Sequence, residues 1–191
     1  MLDLTLVAAT DATLPAEPAE VRHLIAGEWR ASADGATFDR RSPAHGVVVT
    51  RAAKGGVAET EAAIAAARQA FDDGRWSELS GKERATLLLR VADLIDRDRE
   101  RIARVETLEA GKPIAQSRAE IEGAADLWRY AAALARTLSG DSHNSLGRDI
   151  LGVVLKEPIG VAAIICPWNF PFLIVSQKLP FALAAGCAAV V

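Results

Sequence analysis

The sequence predicts an α/β fold: an N-terminal β-meander and helices lead into a parallel sheet that is truncated in mid-domain. Three observations carry this prediction. Short strand-like segments separated by turn residues come first, long helical periods follow, and an almost uncharged stretch ends the chain. That stretch, residues 159–191, contains Lys178 as its one charged residue. Buried parallel strands typically read as such continuous apolar runs.

The composition is that of an ordinary globular protein. Of 191 residues, 50% are apolar and 25% are charged, which excludes wholesale disorder. The 22 basic and 25 acidic residues give a net charge of −3, which disfavours non-specific nucleic-acid binding. Cys166 and Cys187 are too few for a disulfide framework, and no basic residue precedes Arg22. We therefore expect a cytoplasmic protein without a secretory signal.

A transmembrane helix is the alternative explanation of the uncharged stretch. Residues 159–177 contain no charge over nineteen positions, which is long enough to span a bilayer. However, Pro167, Pro171, Pro180 and Gly186 interrupt the stretch and would break a straight helix. Buried strands around a buried helix are therefore the favoured interpretation.

The first quarter of the chain predicts strands and turns. Residues 1–20 are rich in alanine, include two prolines and show no sustained period, so we expect a loose tail. The strand-like segments are Leu24–Arg30, Thr37–Arg41 and Val47–Ala52. Turn signals lie at residues 27–28, 33–35 and 42–46. Strands this short and this close together are typical of a meander.

Three helices are predicted next. The first covers Val57–Asp72, where apolar residues recur at helical spacing. The second begins at a capping box that starts with Ser80 and ends at Gly111. The third opens at Pro113, which is favoured in a first helical turn, and ends before Gly140.

The last segment predicts a β-α-β unit. A further strand is possible at Ile150–Lys156, and then a buried strand is expected at Val161–Ile165. The helical run Phe172–Ala185 contains Pro180, which requires a kink or a restart. A second buried strand begins at residue 187, and we expect a right-handed crossover between the two strands. Because a parallel sheet needs further strands, we expect the domain to continue beyond residue 191.

The candidate site follows the first of these buried strands. There the sequence reads Pro-Trp-Asn-Phe-Pro over residues 167–171, and ligands of α/β folds bind at the carboxyl ends of strands. The Asn169 amide is a neutral donor suited to an oxyanion. Alternatively, Asn169 closes a turn between two prolines, which the spacing alone favours. His23, His45 and His143 are far apart in the sequence, so no metal site is predicted.

Six segments resemble the aldehyde dehydrogenase superfamily. Three lie in the last quarter of the chain: Leu155–Val161, Ile164–Pro171 and Lys178–Gly186. Three lie upstream: Ile25–Trp29, Ser42–Pro43 and Glu106–Pro113. The resemblance covers nearly the whole chain from residue 24 onward. It implies a Rossmann-like parallel-sheet nucleotide-binding domain.

The resemblance also implies a division of the chain. Residues 21–140 would supply strands and helices of the cofactor-binding domain. Residues 141–158 resemble the family's oligomerisation arm, which implies a homo-oligomer. Residues 159–191 would begin the β-α-β core of the same domain and leave it incomplete.

Members of this family are oxidoreductases that oxidise an aldehyde to a carboxylic acid with NAD or NADP. A cysteine thiolate attacks the aldehyde, hydride leaves to the nicotinamide and a glutamate activates the hydrolytic water. The family's nucleophilic cysteine and its glutamate lie beyond residue 191. The 191-residue chain by itself is therefore expected to be inactive.

The resemblance assigns site residues on the Pro-Trp-Asn-Phe-Pro segment and the helix after it. Asn169 matches the oxyanion-binding asparagine. The stretch that lines the cofactor is matched by Ile165, Cys166, Pro167, Trp168 and Asn169. The substrate tunnel is matched by Phe170, Ile174 and Gln177. Many members carry an aromatic residue at the position of Gln177, so this tunnel is expected to be more polar.

Other functions remain open from the sequence. Neither Cys166 nor Cys187 matches the nucleophile, and both are interpreted as small buried thiols. The chain would then be a non-catalytic remnant or an oligomerisation module that docks on full-length subunits. A membrane-associated protein is the third alternative.

Overall fold

This computed structural model describes residues 14–191, and within them the chain forms nine strands and six helices. The strands are β1 (Ala19–Val21), β2 (His23–Ile25), β3 (Glu28–Arg30), β4 (Thr37–Arg41), β5 (Val48–Ala53), β6 (Asp141–His143), β7 (Gly152–Val154), β8 (Val161–Ala163) and β9 (Ala188–Val190). The helices are α1 (Val57–Asp72), α2 (Gly81–Arg97), α3 (Arg99–Ala110), α4 (Ile114–Thr137), α5 (Pro171–Ser176) and α6 (Leu179–Ala184).

The chain divides into two compact units. One contains the described residues up to Ala66 together with Asp98–Ile121, and the other contains Ala67–Arg97 together with Glu122–Val191. Of the predicted tail, residues 1–13 lie outside the described residues. The predicted division of the chain at residues 140 and 158 stays a prediction.

The first unit holds the N-terminal strands. β2 and β3 form an antiparallel hairpin, and Ala26 and Gly27 both have positive φ angles of 53° and 81° in its turn. A two-residue turn of this kind matches the twist of a hairpin, and it lies one residue earlier than predicted. β5 pairs antiparallel with β4 and parallel with β1. This sheet is therefore not a simple meander, because β1 pairs parallel with β5. β1 includes Ala19 and Glu20, which were predicted to lie in the tail.

The second predicted helix is two helices, α2 and α3. Asp98 separates them with φ −98° and ψ 8°, outside helical geometry. The predicted capping box is present: the Ser80 N–H donates to Glu83 over 2.8 Å, and the Glu83 N–H donates to the Ser80 hydroxyl over 3.3 Å. Gly111 ends α3 with φ 74°, as predicted.

The second unit contains the predicted β-α-β arrangement. β8 and β9 are parallel neighbours, and Val161 lies opposite Ala188. Between them the helical run is divided into α5 and α6, with Pro180 as the second residue of α6. Pro180 therefore restarts the helix where its missing N–H has no intrahelical partner to lose. The α/β fold class is confirmed.

A short hairpin precedes this arrangement. β6 pairs antiparallel with β7, so that Asp141 lies opposite Val154. β6 was not predicted, because its three residues, Asp-Ser-His, carry no apolar alternation. Among the described residues, no helix combines the length and the apolar character that crossing a membrane requires.

Alanine side chains let the helices of the second unit approach closely. The buried alanines of α4 in this unit are Ala124, Ala125, Ala131, Ala132 and Ala135. At the start of α2, a Cβ on Gly81 would overlap the backbone carbonyl oxygen of Ala135. The contact therefore depends on the absence of a side chain at Gly81.

Gly81→Ala tests this packing. The added methyl group meets backbone rather than a flexible side chain, so we expect the free energy of unfolding to fall by about 1–3 kcal/mol. Lys82→Ala is the matched control, because Lys82 is the exposed next residue of the same helix. It should change stability by less than about 0.5 kcal/mol. Equal effects of the two variants in denaturant unfolding would contradict the close approach.

Candidate functional site

The residues that the sequence singled out lie together on one segment of the second unit. Residues 164–170 connect the carboxyl end of β8 to the start of α5. Ile165 and Trp168 are 89% and 78% exposed, so both present large apolar surfaces to solvent. Asn169 is also exposed, and Cys166 is half-buried.

Backbone hydrogen bonds hold the beginning of this segment. The Ile164 N–H donates to the carbonyl of Val190 over 2.8 Å, and the Ala188 N–H donates to the carbonyl of Gly160 over 3.0 Å. The Ile164 side chain is buried. The chain therefore leaves the sheet at a fixed point, five residues before Asn169.

A buried hydrogen bond holds the helix at the other end. The indole N–H of Trp128 on α4 donates to the hydroxyl of Ser176 on α5 over 3.2 Å, and both side chains are buried. A Cβ on Gly123 of α4 would also lie 4.0 Å from the Leu173 side chain. Because the hydrogen bond is directional, it sets the rotation of α5 about its own axis.

The predicted substrate-facing residues occupy another side of α5. Phe170 and Ile174 are half-buried, whereas Gln177 is exposed. The Ile174 N–H donates to the Phe170 carbonyl over 2.9 Å, which closes the first helical turn. At 100° per residue, these three positions form a stripe that is separate from Leu173 and Ser176.

Two long side chains hold the end of α6, and neither was predicted to have this role. The indole N–H of Trp76 donates to the Leu183 carbonyl over 3.0 Å, and the Arg84 guanidinium donates to the Ala184 carbonyl over 3.1 Å. These carbonyls lie in the last helical turn, where intrahelical partners are missing. No local pattern reveals such partners, which lie 107 and 100 residues away in the sequence.

The Asn169 side chain has no hydrogen bond with any residue in the described part of the chain. An asparagine that closes a turn commonly bonds a nearby backbone group. The turn interpretation that the sequence favoured therefore lacks its characteristic bond. An exposed, unbonded amide is available to donate to a ligand.

The segment that contains Asn169, residues 159–177, has no charged side chain. Within this segment, an amide is a neutral donor suited to a developing negative charge. Among residues 14–191, no group of three or more His, Cys, Asp or Glu side chains could hold a metal ion. Of the two free thiols, Cys187 is buried.

Comparison with known proteins identifies what this arrangement is similar to. The model of the aldehyde dehydrogenase family matches residues 29–191. The chain is 41% identical over 167 residues to human mitochondrial succinate-semialdehyde dehydrogenase, covering 87% of this chain and 30% of that protein. It is 40% identical over 162 residues to betaine aldehyde dehydrogenase of Bacillus subtilis, covering 85% of this chain and 33% of that protein.

Solved structures agree with these matches. An NAD-dependent aldehyde dehydrogenase from Sinorhizobium meliloti has a TM-score of 0.90 and 48% identity, covering 94% of this chain and 36% of its own. Betaine aldehyde dehydrogenase from Staphylococcus aureus in complex with NAD+ has a TM-score of 0.85 and 38% identity, covering 88% and 33%. The chain thus spans about a third of the length of these relatives.

Substitutions at Trp128 and Ser176 test the support of α5. Ser176→Ala leaves the buried indole N–H without an acceptor, so we expect a loss of about 1–3 kcal/mol of unfolding free energy. Trp128→Phe removes the indole donor. When Ser176→Ala is added to Trp128→Phe, the further loss of unfolding free energy should be smaller than the loss caused by Ser176→Ala in the wild type. Ser145→Ala, the same change at an exposed position, is the control. Strictly additive losses in denaturant unfolding would show that the two side chains do not interact.

Proposed function

The chain belongs to the aldehyde dehydrogenase family, and from this premise we propose that it takes part in the oxidation of an aldehyde to a carboxylic acid with NAD or NADP. One observation carries the proposal: the Asn169 amide is exposed and unbonded by the described residues, at the carboxyl end of a parallel strand. Of the two similar structures, one is an NAD-dependent aldehyde dehydrogenase and the other is a complex with NAD+.

Asn169 acts on the oxygen of the substrate. When a thiolate adds to an aldehyde carbon, the carbonyl electron pair moves onto oxygen and leaves an oxyanion there. The Asn169 NH₂ group donates to that oxyanion more strongly than to the uncharged aldehyde. By resemblance, the thiolate belongs to a cysteine further along the family's chain, so Cys166 and Cys187 are not assigned this role.

The residues before Asn169 fit a nicotinamide cofactor. Ile165 and Trp168 expose large apolar surfaces at the strand end where α/β folds bind nucleotides. When bound, the cofactor accepts the hydride that leaves the substrate carbon. Ile165, Cys166, Pro167 and Trp168 would line it, together with the backbone of Asn169.

Phe170, Ile174 and Gln177 are proposed to border the aldehyde. Phe170 and Ile174 are apolar and half-buried, whereas Gln177 adds an exposed amide to the same stripe of α5. This combination suits an aldehyde with an apolar portion and a hydrogen-bonding group further from the reacting carbon.

Residues 141–158 are proposed to be an oligomerisation arm. They include the β6–β7 hairpin, and Leu151, Val153 and Leu155 are exposed along its second half. A copy of the chain, or a full-length subunit, would cover these side chains. The same exposure supports the second candidate function, a non-catalytic oligomerisation module. A cytoplasmic location stays a prediction, since one matched relative is named as mitochondrial.

Purified alone, the 191-residue chain should give no aldehyde-dependent reduction of NAD or NADP. Neither of its cysteines matches the family's nucleophile, and losing a nucleophile removes most of an enhancement of about 10⁶-fold or more. Absorbance of the reduced cofactor measures the reaction. Sustained turnover that depends on both aldehyde and chain would contradict this assignment.

Asn169→Ala should lower kcat by roughly 10²–10³-fold in the full-length enzyme that carries this chain. Cofactor affinity should change much less, because the amide acts on charge that develops at the reacting carbon. Asn169→Asp should be at least as damaging, since a carboxylate repels an oxyanion. Gln69→Ala removes an exposed amide outside both the site and residues 141–158 and should leave kcat unchanged.

The measurement separates catalysis from stability. We would determine kcat per folded active site, cofactor affinity and melting temperature for each variant. A turn-forming role predicts lower melting temperatures with a normal kcat in the folded fraction. That outcome would remove Asn169 from the oxyanion site.

A further inference from the structure

Two carboxylates share one ammonium group in the interior of the first unit. Lys112 Nζ donates to Glu106 Oε1 over 2.7 Å and to Glu120 Oε2 over 2.5 Å. Gln116 donates to the other Glu120 oxygen over 2.7 Å. The side chains of Lys112, Glu106 and Glu120 are 9%, 3% and 8% exposed.

Three parts of the fold bring these groups together. Glu106 belongs to α3, Lys112 follows the left-handed Gly111 that ends this helix, and Glu120 lies one turn after Gln116 on α4. With all three groups ionised, the cluster carries a net charge of −1. An uncompensated charge in a buried position is costly, because it loses its hydration without gaining a matching counter-charge.

One oxygen of the cluster is left without a partner. Glu106 Oε2 is buried and receives no hydrogen bond from the described residues. An ionised carboxylate can only accept, whereas a protonated carboxyl can also donate. A side-chain hydrogen bond between Glu106 and Glu120 is available when Glu106 carries a proton.

We propose that Glu106 is protonated in the folded protein and donates a hydrogen bond to Glu120, so that the pair binds one proton at neutral pH. This single proton removes the surplus negative charge and lets the Glu106 carboxyl donate as well as accept. The inference does not depend on the proposed function.

The electrostatic environment supports the same distribution of the proton. Burial raises the pKa of Glu106, and the neighbouring Glu120 raises it further against the opposing effect of Lys112. Burial also acts to raise the pKa of Glu120, but hydrogen bonds from Lys112, Gln116 and Glu106 outweigh it and the pKa is lowered. The proton therefore resides on Glu106.

The other charged groups around the cluster have partners of their own. Glu109, one turn along α3, accepts a hydrogen bond from Thr50 of β5. Arg40 of β4 donates to the Glu109 carbonyl over 3.4 Å. On α4, Arg118 is paired at the surface with Glu100 over 2.7 Å. Lys112 is a cation in direct contact with Glu106.

The proton makes stability depend on pH in a defined direction. The folded-state pKa of Glu106 is raised above its ordinary value of 4.5. Its contribution to stability is therefore fully present below that value and is lost as the pH rises through the folded-state pKa. Alkaline conditions should weaken the first unit.

Glu106→Gln and Glu120→Gln form a matched pair of tests in the 191-residue chain. Glutamine at 106 keeps an oxygen for Lys112 and presents an NH₂ donor to Glu120, as a protonated carboxyl does. In Glu120→Gln, one of the two acceptor oxygens becomes an NH₂ group. That NH₂ group must face either the Lys112 ammonium or the Gln116 amide NH₂, and two donors cannot bond each other.

At about pH 8, Glu106→Gln should leave the denaturant midpoint at or above that of the wild type, and at about pH 4 the two should coincide. Glu120→Gln should lower the midpoint at about pH 8. A lower midpoint for Glu106→Gln at about pH 8 would overturn the proposal, because it would mean that an ion pair with Lys112 had been lost.

Infrared spectroscopy of the wild-type chain gives a second test that needs no variant to fold. A protonated carboxyl band should persist at about pH 7, well above the ordinary glutamate pKa, and Glu106→Gln should remove it. A wild-type spectrum without this band would also overturn the proposal.

Discussion

A polar group that leaves water must find a hydrogen-bond partner, and this constraint fixes the parts of the fold on which the candidate site depends. Trp128 and Ser176 satisfy each other and thereby set the rotation of α5. Trp76 and Arg84 satisfy carbonyls at the end of α6, just before the chain enters β9. Among the described residues, the buried Glu106 Oε2 escapes the rule because it receives no hydrogen bond, and the proton proposed on Glu106 would account for it. The Asn169 amide remains in water, has no bond with the described residues and is therefore available to a ligand.

Local sequence signals predicted the elements that local forces determine. The bounds of β4 and α1 coincide with the prediction, the capping box begins α2 and Gly111 ends α3, both where expected. The single helix expected from Ser80 to Gly111 is interrupted at Asp98. There the apolar period lapses for a turn, and Asp98 leaves helical geometry. β6 could not be predicted, because its Asp-Ser-His sequence forms a strand only by pairing with β7.

The segment proposed as the site could be recognised in the sequence, but the partners that hold it could not. Residues 167–171 stood out because they follow a buried strand and carry an amide between two prolines. The partners that hold α5 and α6 come from distant helices and turns, so neither periodicity nor spacing reveals them. The named relatives act on different aldehydes at 41% and 40% identity, so overall similarity does not select a substrate. The side chains on the Phe170, Ile174 and Gln177 stripe are the part of this chain proposed to make that selection.

The central claim is that Asn169 donates to the oxygen of the reacting aldehyde. A crystal structure of the full-length enzyme that carries this chain, with an aldehyde captured as a covalent thiol adduct, tests it most directly. The account predicts that Asn169 Nδ2 lies about 2.7–3.1 Å from the oxygen of the adduct. An Asn169 amide turned away from that oxygen and bonded to the backbone of residues 167–171 would contradict the account.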